Sequence, residues 1–358
     1  MRSAKRRLAG TASAILAISA VLAGAPPAKA DSVYSYTFSD NIRYPDGVWQ
    51  GWQPPVQPPG ASGTNATMAV VDVADNLNDS IHVDIADSDG IWDDVRYADG
   101  TWQGWEKPPQ PPISSGYLLK AAGLPDGDIE YFVVGSGTGA VYTSTRSSDG
   151  NWGGWSQPLT VPGGELGDFA ATADANGNVQ VIASVPGGAV YHALQFTDGA
   201  WQNWEQPTQV PGGAFAVTAA GSDDGSVQFM AVNGDDMIYH DIRFPDGSWQ
   251  GWLKVPYQPP AGWDDTSSPA TGMQFDDMAA TADVNDNAQF LIAVHGPTVP
   301  PGKSLFYHIV RYSNGDWQST GWGVVQEPYG LCSAGMANAT FNGNGGLSQA
   351  DAVCMTGF

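Results

Sequence analysis

An arginine and two tryptophans recur along this chain at a fixed spacing, around an acidic turn. The copies run Arg43-Tyr-Pro-Asp-Gly-Val-Trp-Gln-Gly-Trp52, Arg96 to Trp105, Arg146 to Trp155, Gln195 to Trp204 and Arg243 to Trp252. A sixth, Arg311-Tyr-Ser-Asn-Gly-Asp-Trp317, places its second tryptophan at Trp322 after a two-residue insertion. Tryptophan offers a flat apolar face and an N–H handle, which suits the C–H-rich face of a pyranose. Arginine offers five donors in a planar fork, which suits sugar hydroxyls. The candidate carbohydrate-binding residues are therefore Arg43, Trp49, Arg96, Trp102, Arg146, Trp152, Trp201, Arg243, Trp249, Arg311 and Trp317. Gln195 stands where the other copies have arginine and makes its copy a weaker site. A competing reading uses the same residues for packing. Positions three apart on a strand face opposite sides, so both tryptophans could fill gaps between sheets, and each arginine could pair with its turn aspartate.

Other polar groups point less clearly to chemistry. The Asp-Gly pairs suit tight turns, because both residues tolerate positive φ. Asp174, Asn176 and Asn178, like Asp283, Asn285, Asp286 and Asn287, resemble the start of a calcium loop but lack its closing glutamate. His192, His240 and His308 each follow a tyrosine in one register, which keeps them in separate units and away from a shared metal. Only five glutamates exist, and Glu106 and Glu205 hold repeat positions, so paired carboxylates for glycoside hydrolysis are not evident. No nucleophile elbow, phosphate loop or zinc-protease motif is present. The expectation is a binding protein with no catalytic residue, cofactor or metal.

Charge and composition narrow the partners. Residues 1 to 30 read as a secretory leader, with a basic head (Arg2, Lys5, Arg6, Arg7), an apolar run from about Ala14 to Leu22, and Ala28-Lys-Ala30 as the cleavage site. The apolar run is short of the roughly 20 residues a membrane span needs. Export to the extracellular medium is expected, with no membrane insertion. The leader carries five basic residues and no acid; without it the chain holds nine basic against 37 acidic residues, a net of −28 rather than −23. That charge argues against nucleic acid, whose phosphates need a basic face. Two cysteines on an exported chain, Cys332 and Cys354, are expected to form a disulfide.

The elements that must position the repeats are short strands. Residues 168 to 208 read as four: Phe169–Asp174, Val179–Val185, Ala189–Phe196, and one beginning at Trp201, with turns at Asn176-Gly, Pro186-Gly-Gly and Asp198-Gly. A repeat near fifty residues is the mark of a repeat architecture, and four-stranded units repeated radially make a β-propeller. The first strands carry small residues (Ala170-Ala-Thr-Ala, Ala279-Ala-Thr-Ala), as strands crowded about an axis require. Residues 31 to 58 supply only a third and fourth strand, and residues 331 to 358 only a first and second. The prediction is one domain over 31–358: an all-β, six-bladed propeller of four-stranded antiparallel blades, its last blade shared by the two ends of the chain.

The unit Tyr239-His240 through Trp252 resembles the repeat of the tectonin/tachylectin-type β-propellers and of the related bacterial fucose-binding propeller lectins. The resemblance spans nearly the whole chain beyond the leader. It implies glycan partners, fucosylated or on bacterial surfaces, held in shallow inter-blade pockets by tryptophan, arginine and backbone groups without a cofactor. A protein-interaction propeller in a secreted assembly, contacting its partner through the proline-rich connections, is the alternative expectation; an unusual glycosidase is a third.

Overall fold

The computed structural model describes residues 36–43, 48–51, 53, 67–73, 80–87, 90–97, 100–113, 117–258, 274–283, 285–295, 305–325, 334–342 and 348–357. The expected leader, Trp52, Cys332 and the Arg43 side chain lie outside them, as does the expected disulfide, although Cys354 falls on the last strand. Every regular element among the described residues is a strand, and every pairing is antiparallel.

The chain opens on β1 (Tyr36–Arg43), whose partner comes last. The first sheet is β2 (Thr67–Val73), β3 (Ser80–Asp87) and β4 (Gly90–Arg96). The second is β5 (Tyr117–Gly123), β6 (Ile129–Gly135), β7 (Ala140–Arg146) and β8 (Ser156–Thr160). The third is β9 (Asp168–Ala173), β10 (Val179–Ser184) and β11 (Val190–Gln195). The fourth is β12 (Ala214–Gly221), β13 (Val227–Asn233), β14 (Ile238–Arg243) and β15 (Leu253–Lys254), and the fifth β16 (Gln274–Ala282), β17 (Ala288–His295), β18 (Leu305–Arg311) and β19 (Gly323–Val325). In the sixth, β20 (Ala334–Asn342) and β21 (Ser348–Gly357) are joined by β1, with Tyr36 opposite Gly357 and Arg43 opposite Ala350. The predicted sharing of one unit by the two ends of the chain is therefore present as strand pairing.

Burial follows strand rank. The second strands β6, β10 and β13 are buried along their whole length, as expected of a strand covered on both faces by neighbouring sheets. The first strands lie beside one another from sheet to sheet: β2 against β5, β5 against β9, β9 against β12, β12 against β16, β16 against β20 and β20 against β2. Their approach is close enough to exclude side chains. A Cβ on Gly221 of β12 would collide with the Ala173 carbonyl oxygen of β9. Polar groups then stitch the same two strands, as the Val217 and Gly221 amides donate to Asp168 Oδ2 and Thr172 Oγ1, each at 2.9 Å.

The fourth strands depart from expectation. In the first and third sheets no fourth strand forms, and a single bridge holds its place, Asp93 with Glu106 and His192 with Glu205. In both, proline follows the bridge (Pro108, Pro207) and lacks the N–H that would extend a ladder there, whereas β8 accommodates its Pro158 at a register shift. A glutamine side chain supplies the missing pairing, since its amide both donates and accepts. Gln110, Gln209 and Gln258 accept from an amide at the start of the third strand (Ile91, the second residue of β4, and Val190 and Ile238, the first of β11 and β14) at 2.7–2.8 Å, and donate to that residue's carbonyl at 3.2 Å.

Candidate functional site

Each repeat turn is a small hairpin. Arg96, Arg146, Gln195, Arg243 and Arg311 bridge the first tryptophan of their own copy across it. The turn closes through Tyr97 N–H to Thr101 O at 2.9 Å and Gly100 N–H to Tyr97 O at 2.8 Å, and in the same way at Phe196 and Phe244. Gly100 and Gly247 both adopt φ +85°, a region open to glycine at little cost. Their missing side chains leave the flank of the turn clear for the Arg96 and Arg243 guanidinium groups, whose Nη2 atoms would lie 3.6 Å from a Cβ there. The aspartates serve the turn, as Asp198 and Asp246 accept the amides of Ala200 and Ser248 at 2.9 Å. The sequence that resembled a calcium loop is likewise committed to its turn. Asp174 accepts from the Asn176 and Asn178 amides and from the Asn178 and Gln180 side chains.

The two tryptophans of a pair separate in role. The second ones vary in depth: Trp252 is 7% and Trp322 9% exposed, while Trp105, Trp155 and Trp204 are half-buried. Trp155 and Trp322 donate their indole N–H to the Pro109 and Tyr257 carbonyls of the preceding connection, at 2.8 and 2.9 Å. The first tryptophans, Trp49, Trp102, Trp152, Trp201, Trp249 and Trp317, are all half-buried. They stand in the seam with the preceding sheet. The Trp249 ring lies 5.1 Å from the His192 ring edge-on and 5.3 Å from Phe229 of its own sheet; Trp317 lies 5.3 Å from His240, and Trp49 5.7 Å from His308. Each of these histidines is fixed by a glutamine from the second strand, His192 by Gln180 at 2.9 Å, His240 by Gln228 at 3.1 Å and His308 by Gln289 at 3.0 Å. Arg311 reaches back across its seam to Gln228 Oε1 at 3.3 Å.

The seams are not chemically equal. Between the third and fourth sheets, His192, Glu205, Arg243 and Trp249 converge, with Glu205 Oε1 3.0 Å from His192 Nδ1. The His192 contact, more than the Arg243 charge, holds the Glu205 carboxyl below its usual range. Burial pushes His192 below the usual imidazole value, and pushes His240 well below it with help from Arg311. Between the fourth and fifth sheets, Leu253 pairs opposite His240 where Glu205 stands opposite His192, and Gly323 takes that place opposite His308. Between the first and second sheets, Arg146 is only 6% exposed and its Nε lies 3.9 Å from Asp93 Oδ2, while Asp93 Oδ1 lies 3.2 Å from His82. Asp84 is buried nearby with a carboxyl pushed well up, first by burial and then by the Asp93 charge. At the following seam Glu130 is buried and accepts from Thr145 Oγ1 at 2.6 Å, on the side of Gln195. Sequence reasoning did not assign Gln180, Gln228, Gln289 or Glu205 to the site. The signal was a polar residue in the same place of three apolar second strands, Val-Gln-Val, Val-Gln-Phe and Ala-Gln-Phe.

No protein-family model matches this chain, and neither does any curated protein. Solved structures do. The SapL1 lectin in complex with α-methyl fucoside aligns with TM-score 0.52 and 12% identity over 76% of this chain and 85% of that one. The lectin of Aleuria aurantia, described as a six-bladed β-propeller with a novel mode of fucose recognition, aligns with TM-score 0.50 and 13% identity over 79% and 90%. The BP39L lectin of Burkholderia pseudomallei aligns with TM-score 0.50 and 15% identity over 80% and 95%. At these identities the likeness is one of fold, and the all-β, antiparallel fold of this chain is similar to that of β-propeller lectins.

Proposed function

We propose that this chain is a secreted, multivalent lectin whose six sheets are the blades of a closed six-bladed propeller and whose glycan sites lie in the seams between blades. The neighbour relation of the first strands, which returns from β20 to β2, supports closure. One observation carries the site: a half-buried tryptophan beside an arginine faces polar groups of the preceding sheet, and it does so at repeated seams. The tryptophan supplies the stacking face, the guanidinium supplies donors, and Glu205, held by His192, supplies acceptors at the best-equipped seam. The Arg146 seam is the poorest of the arginine-bearing ones, because its guanidinium lies buried beside Asp93. Two solved neighbours suggest the first sugar to try, since one is described with a fucoside and the other with fucose recognition. Single shallow sites bind weakly, and several on one rigid frame raise avidity by about 10²–10⁴ against clustered glycans. The basic, apolar and small-residue order of residues 1 to 30 supports export.

The test is titration calorimetry with α-methyl fucoside, after a glycan array that includes bacterial polysaccharides. More than one site per chain is expected, and Trp249→Ala with Arg243→Ala should remove one of them. An unchanged stoichiometry in that double variant would reject the seam. A blank array would favour the protein-interaction reading, to which the exposed turn aromatics Phe196, Phe244 and Tyr312 also lend a surface.

A further inference from the structure

We infer that Asp174, Gln180 and His192 form a hydrogen-bonded relay that positions the Glu205 carboxylate in the seam of the third and fourth sheets, and that the relay closes only when the His192–Glu205 pair carries a proton. The part that concerns sugar rests on the lectin reading above; the relay itself does not.

Donor direction decides the matter. Asp174 is buried and surrounded by donors, with Oδ1 2.9 and 3.1 Å from the Asn176 and Asn178 amides and Oδ2 3.1 Å from both the Asn178 and the Gln180 side-chain nitrogens. A carboxylate so placed only accepts. Gln180 must therefore turn its –NH₂ to Asp174 and its oxygen to His192. His192 Nε2, 2.9 Å from that oxygen, must carry hydrogen. A neutral imidazole has only one N–H. Its Nδ1 would then present a lone pair to Glu205 Oε1 at 3.0 Å. Moving the hydrogen to Nδ1 does not help, because Gln180 would have to flip and set its oxygen against Asp174. Every neutral arrangement leaves one lone pair facing another. One added proton, on the imidazole or on the carboxyl, satisfies the whole chain from Asp174 to Glu205, whose second oxygen accepts from Gln202 Nε2 at 3.1 Å.

The surroundings set where that proton is lost. His192 is fully buried between Gln180 of β10, Glu205, and the edges of Phe229 and Trp249 from the fourth sheet; Arg243 of β14 is the other charge that acts on it. Burial and Arg243 oppose a charged imidazole and Glu205 favours it, so the pair gives up its proton on the acid side of the usual imidazole value. The Glu205 backbone is pinned by two hydrogen bonds to His192, at 2.9 and 2.8 Å, so only its side chain can respond. That side chain is 38% exposed and free to turn toward water when the contact fails. His240 and His308 have the same glutamine partner, with Leu253 and Gly323 standing opposite them where Glu205 stands opposite His192.

The experiment is ¹⁵N NMR of the histidine rings in the full chain, followed by calorimetry with α-methyl fucoside at pH 7.5 and 5.5. His192 should hold its hydrogen on Nε2 at pH 7.5 and gain one at Nδ1 on acidification. Glu205→Gln, on an accessible side chain, should lower that midpoint by about one pH unit, a tenfold change in proton affinity. A hydrogen on Nδ1 at pH 7.5, or a midpoint untouched by Glu205→Gln, would overturn the relay whether or not any sugar binds. With sugar, the site lost in Trp249→Ala should bind several-fold tighter at pH 5.5 than at 7.5, and His192→Gln should erase that difference while the other sites persist. Binding at this seam that ignores pH overturns the positioning role. No binding at either pH rejects the lectin reading and leaves the relay to the NMR result.

Discussion

Asp94 and Asp241 occupy the same place in the third strands of two sheets, and each is a carboxyl sealed from water. One oxygen accepts a glycine amide of the tryptophan segment, from Gly104 or Gly251 at 2.8 Å, and the other has no partner. Burial raises both to about 6, against the smaller opposing pull of those backbone amides. The folded carboxyl thus holds its proton more tightly than the unfolded one, near 3.9. Its contribution to stability is complete below about pH 4 and is lost as pH rises through about 6. Asn41 fills the same position in β1 and accepts the Gly51 amide at 2.9 Å without a charge to bury. We therefore expect Asp241→Asn to leave stability little changed at pH 4 and to raise it by on the order of 1–2 kcal/mol at pH 8. Urea denaturation at the two pH values checks this; an equal effect at both would mean that the charge is not the cause.

At the level of strands and connections, the glutamine clasps hold the starts of the third strands beyond the end of the fourth-strand pairing. Gln209 makes three contacts in this role, from Val190 N–H at 2.8 Å and to the Val190 and Pro207 carbonyls at 3.2 and 2.7 Å. Gln209→Ala leaves the Val190 amide and carbonyl at the buried start of β11 without those partners. The expected loss is about 1–3 kcal/mol by denaturant titration, because an orphaned buried group costs more than a hydrogen bond contributes. Gln157, exposed on β8, serves as the comparison and should cost under about 0.5 kcal/mol when changed to alanine. These clasps also mark the limit of what the residues disclose by themselves. Asp198-Gly-Ala-Trp announces its hairpin because the backbone angles are set within four residues. Ala170-Ala-Thr-Ala announces a crowded strand because crowding acts on side-chain size. A glutamine two residues beyond Pro207 gives no such sign, since its partner at Val190 is distant in sequence. Arg146 is the same case at the site: its repeat position matches Arg243, and only the arrival of Asp93 from the preceding sheet turns it inward. The second tryptophans differ among themselves in depth, Trp252 and Trp322 being buried and Trp105, Trp155 and Trp204 half-buried, which no single repeat encodes.

Over the whole molecule, the sheet that joins β1 to β20 and β21 decides whether the six units hold as one body. β21 is paired on both sides, by β20 and by β1. Removing residues 31 to 53 would expose the whole length of β21 as an unpaired edge, which is a template for pairing with another chain. The truncated protein is expected to elute in larger assemblies than the intact chain or to aggregate, and a peptide of residues 31 to 53 added during refolding should restore the elution position of the intact chain. A truncated protein of unchanged elution position and melting temperature would show that the sixth sheet is dispensable.

The pairing of Tyr36 with Gly357 has a consequence in time as well as in space. Almost the entire chain must be made before its first strand can find a partner. Contacts of such long sequence separation slow folding, because loop closure is charged before any contact rewards it. During synthesis β1 has nothing to pair with, and a chain released early would carry an open seam. The same topology works in reverse once the last strand is in place: in the closed ring proposed above, opening requires an entire sheet to part, so a protein slow to assemble becomes slow to come undone. Under the proposed export, where proteases are met outside the cell, that persistence would govern working lifetime more than the equilibrium stability does.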